Sequence, residues 1–395
     1  MKNNYRRIFE ELGVTAEYSI FYTEGGVYEC HIMLHVEPQG EMFSGQLRRL
    51  LLAGKQLCND YLKTEGTAFM PVFKRYFLSD AANQAALINE VCHNEMLEED
   101  KCTVSYIQQP PLDGSKVALW IYLQTGTDVK YNADDLDTTI VSHNGYEHLW
   151  TMGLTDTSEG SYKQTAAVLE SYEQTLAEKH DATIADNCIR TWFFVRDVDT
   201  NYHGLVVARR ENFQRNGLCP ETHYIASTGI GGSPADTKAL VQLGTYAIKG
   251  LQPGQQKYLY ALSHLNKTIE YGVTFERATL VEYGDRGHIY ISGTASIDNK
   301  GKVVHIGDIR RQTERMWENV EALLNEGGMD FKDMMQIIVY LRDTADYAIV
   351  SRMFKERFPD IPTVITLAPV CRPQWLIEME CIAADERHTP HYRNF

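Results

Sequence analysis

Two glutamates, Glu378 and Glu380, stand two residues apart in the apolar run WLIEMECIA. In an extended strand such residues share a face. A carboxylate there is costly unless it is neutralised by a partner or put to use. Either both are hydrogen-bonded across a seam to arginine or a neighbouring loop, or one is kept for proton chemistry. Cys371 precedes Glu378 across the CRPQ turn; a lone cysteine is ordinarily a small buried hydrophobe. The glycine-rich run HYIASTGIGGSPAD permits close backbone approach and exposes N–H groups, which suits an anion. It lacks the G-x-x-x-x-G-K-S/T pattern of a nucleotide loop. Tyr224 and Thr228 alternate onto one face of this run and are expected to line a cleft, and Thr294 in SGTAS is placed to hydrogen-bond a substrate. His31 and His35 share a strand face without a carboxylate cluster beside them, which reads as satisfied histidines rather than metal ligands. No metal and no organic cofactor is expected.

The composition narrows the setting. A chain of 395 residues has room for two or three domains, and 44% hydrophobic with 23% charged residues is ordinary globular usage. The net charge of −15 disfavours a nucleic-acid partner. No apolar run is long enough for a membrane span, and the first residues lack a signal-peptide core. Eight scattered cysteines without a C-x-x-C pair point to a reducing, cytoplasmic compartment. The tail DERHTPHYRNF reads as loosely held.

The elements that must position these residues are written three times. Amphipathic helices begin near Gln46, Gln164 and Gln312, and each is followed by a strand-like run ending in an aspartate: Asp80, Asp197 and Asp343. The glutamine-to-aspartate separations are 34, 33 and 31 residues, about what a helix and a return strand require. A second helix follows each aspartate, which is expected to cap it. Two extended runs then close each module: CTVSYIQQ and KVALWIYL, HYIAST and KYLYALSHL, TVITLAPV and WLIEMECIA. Each module also opens on extended chain. The fold class is therefore α+β, with three tandem modules over 1–130, 131–265 and 266–395. Each is a mixed sheet with two helices on one face. The uncovered sheet faces would be exposed apolar patches unless the modules close on one another as a ring. Of the three closing runs, only the last carries acids.

The stretch SGTASIDNKGKVVHIGDIRRQTERMWENVEALLNEGG, with DMMQIIVYLRD and the closing E-x-E-x-I-A, resembles the RidA/YjgF superfamily (endoribonuclease L-PSP) over about residues 280–384. That resemblance implies the chorismate mutase-like module of homotrimers whose clefts lie between subunits. This chain would then be a monomeric, intramolecular pseudo-trimer. RTWFFVRDVDTNYHGLVVARRENF, STGIGG, YGVTFERA, SGTASI and VCRPQWLIE are closer still to the chorismatase family, over about residues 187–384, with the first module the more degenerate part. This resemblance makes Glu378 the catalytic acid/base. It places Cys371 in the branch that yields 3-hydroxybenzoate. The implied activity is removal of pyruvate from chorismate, giving 3-hydroxybenzoate or a dihydrodiol acid. The implied partner is a small anionic substrate, with no nucleic acid and no membrane. Two substrate carboxylates call for arginine forks, and the candidates are Arg209, Arg277 and Arg372. Arg210 points away from Arg209 on their helix, so at most one of the two reaches a cleft.

RidA deaminases carry an arginine just after the proline that opens the fourth strand. Pro362-Thr363-Val364, Pro220-Glu221-Thr222 and Lys101-Cys102-Thr103 are the expected slots here, and none holds an arginine. Its absence counts against imine deamination, because an anionic substrate would lose a bidentate clamp. A RidA-type enamine/imine deaminase and a non-catalytic small-molecule-binding protein are the alternative readings.

Overall fold

Buried residues alternate along the strands, and that alternation decides which face meets helices and which meets other sheets. The computed structural model describes residues 1–62, 68–94 and 101–395. In chain order, the first sheet contributes β1 (Lys2–Phe9), β2 (Val14–Tyr22), β3 (Tyr28–Val36), helix α1 (Phe43–Asp60), β4 (Met70–Leu78), helix α2 (Ala81–Asn94), β5 (Thr103–Gln108) and β6 (Val117–Thr125). The second contributes β7 (Asp128–Asn132), β8 (Thr138–His143), β9 (Tyr146–Thr155), α3 (Gly160–His180), the short α4 (Ile184–Asn187), β10 (Cys188–Val195), α5 (Val198–Arg215), β11 (Ala226–Gly231) and β13 (Val241–Lys249); the two-residue β12 (Ser233–Pro234) between β11 and β13 crosses over to pair with β5 of the first sheet. The third contributes β14 (Gln256–Leu259), β15 (Ala278–Glu282), β16 (Arg286–Ala295), α6 (Ile309–Glu326), β17 (Met334–Leu341), α7 (Tyr347–Arg357), β18 (Thr363–Leu367) and β19 (Ile377–Glu386).

The described residues form three sheets, and the strand orders repeat: β3-β6-β4-β5, β9-β13-β10-β11 and β16-β19-β17-β18. In each, the last pair is parallel and the rest antiparallel. Leu119 and Ile121 of β6 pack with Leu47 and Leu50 of α1, whereas Trp120 and Tyr122 join a central cluster. On β10, Phe193 and Val195 pack with Leu169 and Leu205 of the helices, while Trp192 and Phe194 enter the same centre. Ile338 and Tyr340 of β17 enter it too. The helix-free faces of the three modules thus share one core. No helix among the described residues is long and apolar enough to cross a membrane.

The recurrent glutamine has a physical task. Gln46 Oε1 accepts the N–H of Lys116 (2.7 Å), Gln164 that of Leu240 (2.6 Å) and Gln312 that of Leu376 (2.9 Å). Each acceptor ties a helix to the residue just before the module's closing strand, and each glutamine is buried. An N–H in such a place costs free energy if left unpaired.

Three sequence expectations need correction. The second closing strand is β13, not the 257–265 run; Gln256–Leu259 is β14, an edge strand of the third sheet. Gly244 masked β13 by interrupting its apolar run. A Cβ there would lie 2.8 Å from Met152 Sδ, so close packing favours glycine. Asp197 has φ +46° and makes no side-chain cap hydrogen bond, whereas Asp343 accepts the Ala345 N–H (2.8 Å) and caps the single turn Thr344–Asp346 that leads into α7, not α7 itself. The C-terminal tail is anchored: Phe395 is buried against Tyr283 and His288, and its N–H donates to Asp285 (2.8 Å).

Candidate active site

Glu378 is the second residue of β19, opposite Tyr340 on β17 and Ala295 on β16. A bulge in β16 between Ile291 and Thr294 puts Gly293 beside it. A Cβ on Gly293 would come within 2.8 Å of the Glu378 carboxyl carbon, so the missing side chain makes room for the acid. The carboxyl looks into a cavity of about 230 Å³ between the second and third modules. One wall is α5 and β11, the other β16, β19 and the loop before β19. The seam is zipped by the Ser227 N–H donating to Ser292 Oγ (2.8 Å) and the Gly231 N–H to the Pro369 carbonyl (2.9 Å).

Glu378 makes no hydrogen bond or ion pair among the described residues. Burial pushes its pKa up to about 8, the charge of Glu380 adds to that, and Arg190 and Arg277 partly offset it. It is therefore mostly protonated at neutral pH, as a proton donor must be.

Three arginines line the same cavity. Arg209, on α5, donates to Ser227 Oγ (3.3 Å) and lies near the Phe193 and Phe275 rings. Arg277 donates to the Asn266 carbonyl (3.2 Å), and Arg372 lies over Trp375. Cys371 is adjacent. Burial, aided by the Glu378 charge, pushes its thiol up to about 12, with Tyr202 hydrogen-bonded to it. At neutral pH it is a thiol that shapes the wall, not a thiolate nucleophile.

Glu380 behaves differently. Its carboxylate accepts from Arg190 Nη2 (2.8 Å), Trp192 Nε1 (2.8 Å) and the Thr228 hydroxyl, with Arg75 Nη1 at 3.8 Å. The cross-seam ion pair considered for both glutamates is realised at this one.

The structure brings Glu378, Cys371, Arg209, Arg277 and Arg372 together around one space. It leaves Tyr224, Thr228 and Thr294 out of the lining. Tyr224 precedes β11, and its N–H donates to Glu276 (2.8 Å). On β11 the residues facing the cavity are Ser227 and Gly229, so Thr228 turns the other way, to Glu380. The Thr294 hydroxyl is spent on the Ser292 carbonyl (2.9 Å). Strand register also corrects the arginine slot. Val364 pairs with Ile338, and the equivalent pairs are Thr228 with Trp192 and Ser105 with Arg75. The slots are thus Val364, Thr228 and Ser105, still without arginine. Sequence reasoning missed Arg75, Arg190, Trp192 and Tyr202. Arg190 and Trp192 alternate in CIRTWFF onto the face that meets the other modules, and that alternation was the available signal.

Residues 278–385 match the family model described as Endoribonuclease L-PSP. A RutC family protein of Pyrococcus abyssi is 35% identical over 100 residues, covering 25% of this chain and 79% of the relative. The 3-aminoacrylate deaminase RutC of Acinetobacter baylyi is 32% identical over 97 residues, 24% of this chain and 77% of the relative. A chorismatase crystal structure aligns over 80% of this chain and 93% of its own, with TM-score 0.60 and 17% identity; at that identity the likeness is one of fold.

Proposed function

This chain belongs to the RidA/YjgF (endoribonuclease L-PSP) superfamily, and from that premise we propose that it removes pyruvate from chorismate, with Glu378 as general acid. One observation carries the reading: a buried carboxyl without a hydrogen-bond partner among the described residues, its pKa raised by that burial, shares a cavity with three guanidinium groups. The guanidinium groups suit a small dianion, which they orient by paired hydrogen bonds. Chorismate is an enol ether. Glu378 protonates its methylene carbon, and the resulting oxocarbenium ion is stabilised by the carboxylate left behind. Addition of water and collapse of the hemiketal release pyruvate and a dihydrodiol acid. If the ring also sheds its C3 proton and its C4 hydroxyl as water, offsetting the water taken up, the products are pyruvate and 3-hydroxybenzoate instead, the branch the family resemblance attaches to Cys371. Imine deamination is the weaker reading, because Val364, Thr228 and Ser105 fill the positions where that chemistry places a substrate-binding arginine.

The test is to incubate purified protein with chorismate and follow pyruvate and ring products. Turnover should fall by about 10³-fold in Glu378→Gln. Undiminished pyruvate release by that variant overturns the assignment.

A further inference from the structure

Two carboxyls face one buried side of β19, and the donors around them differ completely. Glu380 is 2% exposed and accepts hydrogen bonds from Arg190, Trp192 and Thr228. All three belong to the second module. Arg75 approaches it from the first module, seated near the rings of Trp120, Trp192 and Phe194. Glu378, 5% exposed, has no hydrogen-bond donor among the described residues and looks into the cavity. When two buried carboxyls carry one proton between them, hydrogen bonds decide which stays ionised. Here every donor serves Glu380, so the proton goes to Glu378.

We propose that Glu380 is a positioning residue for Glu378: clamped where all three modules meet, its fixed carboxylate keeps the neighbouring acid loaded with its proton and turned toward the cavity. This rests on Glu378 being the proton donor of the proposed reaction. It also gives the first module, whose closing strand carries no acid, a place in the site through Arg75.

Several other groups surround Glu378. Arg190 on β10 and Arg277 ahead of β15 favour its ionised form. Arg209 and Tyr202 on α5, and Cys371 and Arg372 in the loop before β19, line the cavity with it. Tyr340 on β17 is its strand neighbour and feels its charge. Of these, the groups that are cationic at neutral pH are arginines, which pull the Glu378 proton off; Cys371, Tyr202 and Tyr340 are held neutral by burial. Among the groups coupled to Glu378, Glu380 alone adds negative charge.

The experiment is a substrate-free titration of Glu378. The infrared band of its protonated carboxyl, isolated as wild type minus Glu378→Gln, is followed from pH 5 to pH 10. In Glu380→Gln the midpoint should fall by about one unit or more, and the descending limb of the rate profile should move with it. Arg75→Met/Glu380→Gln removes one charge of each sign and should still show a fall, smaller because a cation goes with the anion, so a folding defect in the single variant leaves the test intact. A purely structural role for Glu380 would lower the folded fraction without moving the midpoint, and an unmoved or raised midpoint overturns the proposal. The two readings fail separately. No pyruvate release from a wild type whose band titrates as described sinks the substrate reading; normal release with an unmoved band sinks the positioning role.

Discussion

The third module meets the second along one seam and the first along another, and both seams hold a cavity, of about 230 and 180 Å³. Their strands and helices occupy equivalent places, so individual positions can be matched. Lys355 stands twelve residues after Asp343, as Arg209 does after Asp197. Strand register puts Glu17 where the active seam has Arg277, and Ala118 where it has Glu378. The loop that carries Arg372 carries Asp113 in the first module. In the second cavity the charges answer one another: His35 sits 3.6 Å from Asp113 and 4.0 Å from Glu17, which also accepts the Thr363 N–H (3.3 Å). Burial disfavours a charged His35, but Asp113 and Glu17 outweigh it and raise its pKa. The same frame has thus been filled twice, once with a self-neutralising set and once with an acid that has no partner among the described residues. A repeated fold fixes where side chains project; it does not fix what they are.

The largest expected difference between the seams is the sign of their contribution to stability. Glu378 has a folded pKa of about 8, above its unfolded value, so the folded form binds the proton more tightly. Its contribution is complete below the unfolded pKa and is lost as pH rises through about 8. Between pH 5 and pH 7.5 that is a loss of about 3 kcal/mol, which Glu378→Gln should recover in urea unfolding. Asp113 runs the other way. Burial opposes its charge, but His35 and Ser115 hold its pKa below the usual value, so its contribution is present at neutral pH and lost on acidification. Asp113→Asn should therefore destabilise at pH 7. If both substitutions moved stability in the same direction at pH 7, the contrast between the two seams would fail.

Next comes binding. Arg209→Met should raise KM for chorismate about 10- to 100-fold, the worth of a lost charged hydrogen bond of about 1.5–3 kcal/mol. Lys355→Met, at the equivalent place in the other cavity, should leave KM and kcat alone. An equal effect from Lys355→Met would mean that the second cavity also serves the reaction.

How much of this could be read from the chain depends on the range over which each constraint acts. The Gln-to-Asp spacing was legible because a helix and its return strand are local and Gln46, Gln164 and Gln312 each perform the same backbone task. Glu378 was legible because an acid in an apolar strand is anomalous within a few residues. The clamp on Glu380 was not: Arg75, Arg190 and Glu380 meet only after three modules close, and nothing local marks Arg75 as belonging to a site 305 residues away. The β13 error has the same root, since Gly244 makes sense only against Met152 on the neighbouring strand.

The smallest difference tests whether the frame itself is neutral. Gln46 and Gln312 hold equivalent N–H groups, of Lys116 before β6 and Leu376 before β19. Replacing either by leucine leaves a buried donor unpaired, at about 1–3 kcal/mol, and the two should lose similar stability in the same urea titration. Their effects on rate should part. Leu376 lies two residues before Glu378, so Gln312→Leu lets the acid drift and should lower kcat several-fold; misplacement by about an ångström is enough for that. The strand that Gln46 steadies presents Ala118 instead, so Gln46→Leu should leave kcat unchanged. Were both variants to slow turnover equally, the rate loss would reflect general loosening, and the closing strand of the third module would hold no privileged position.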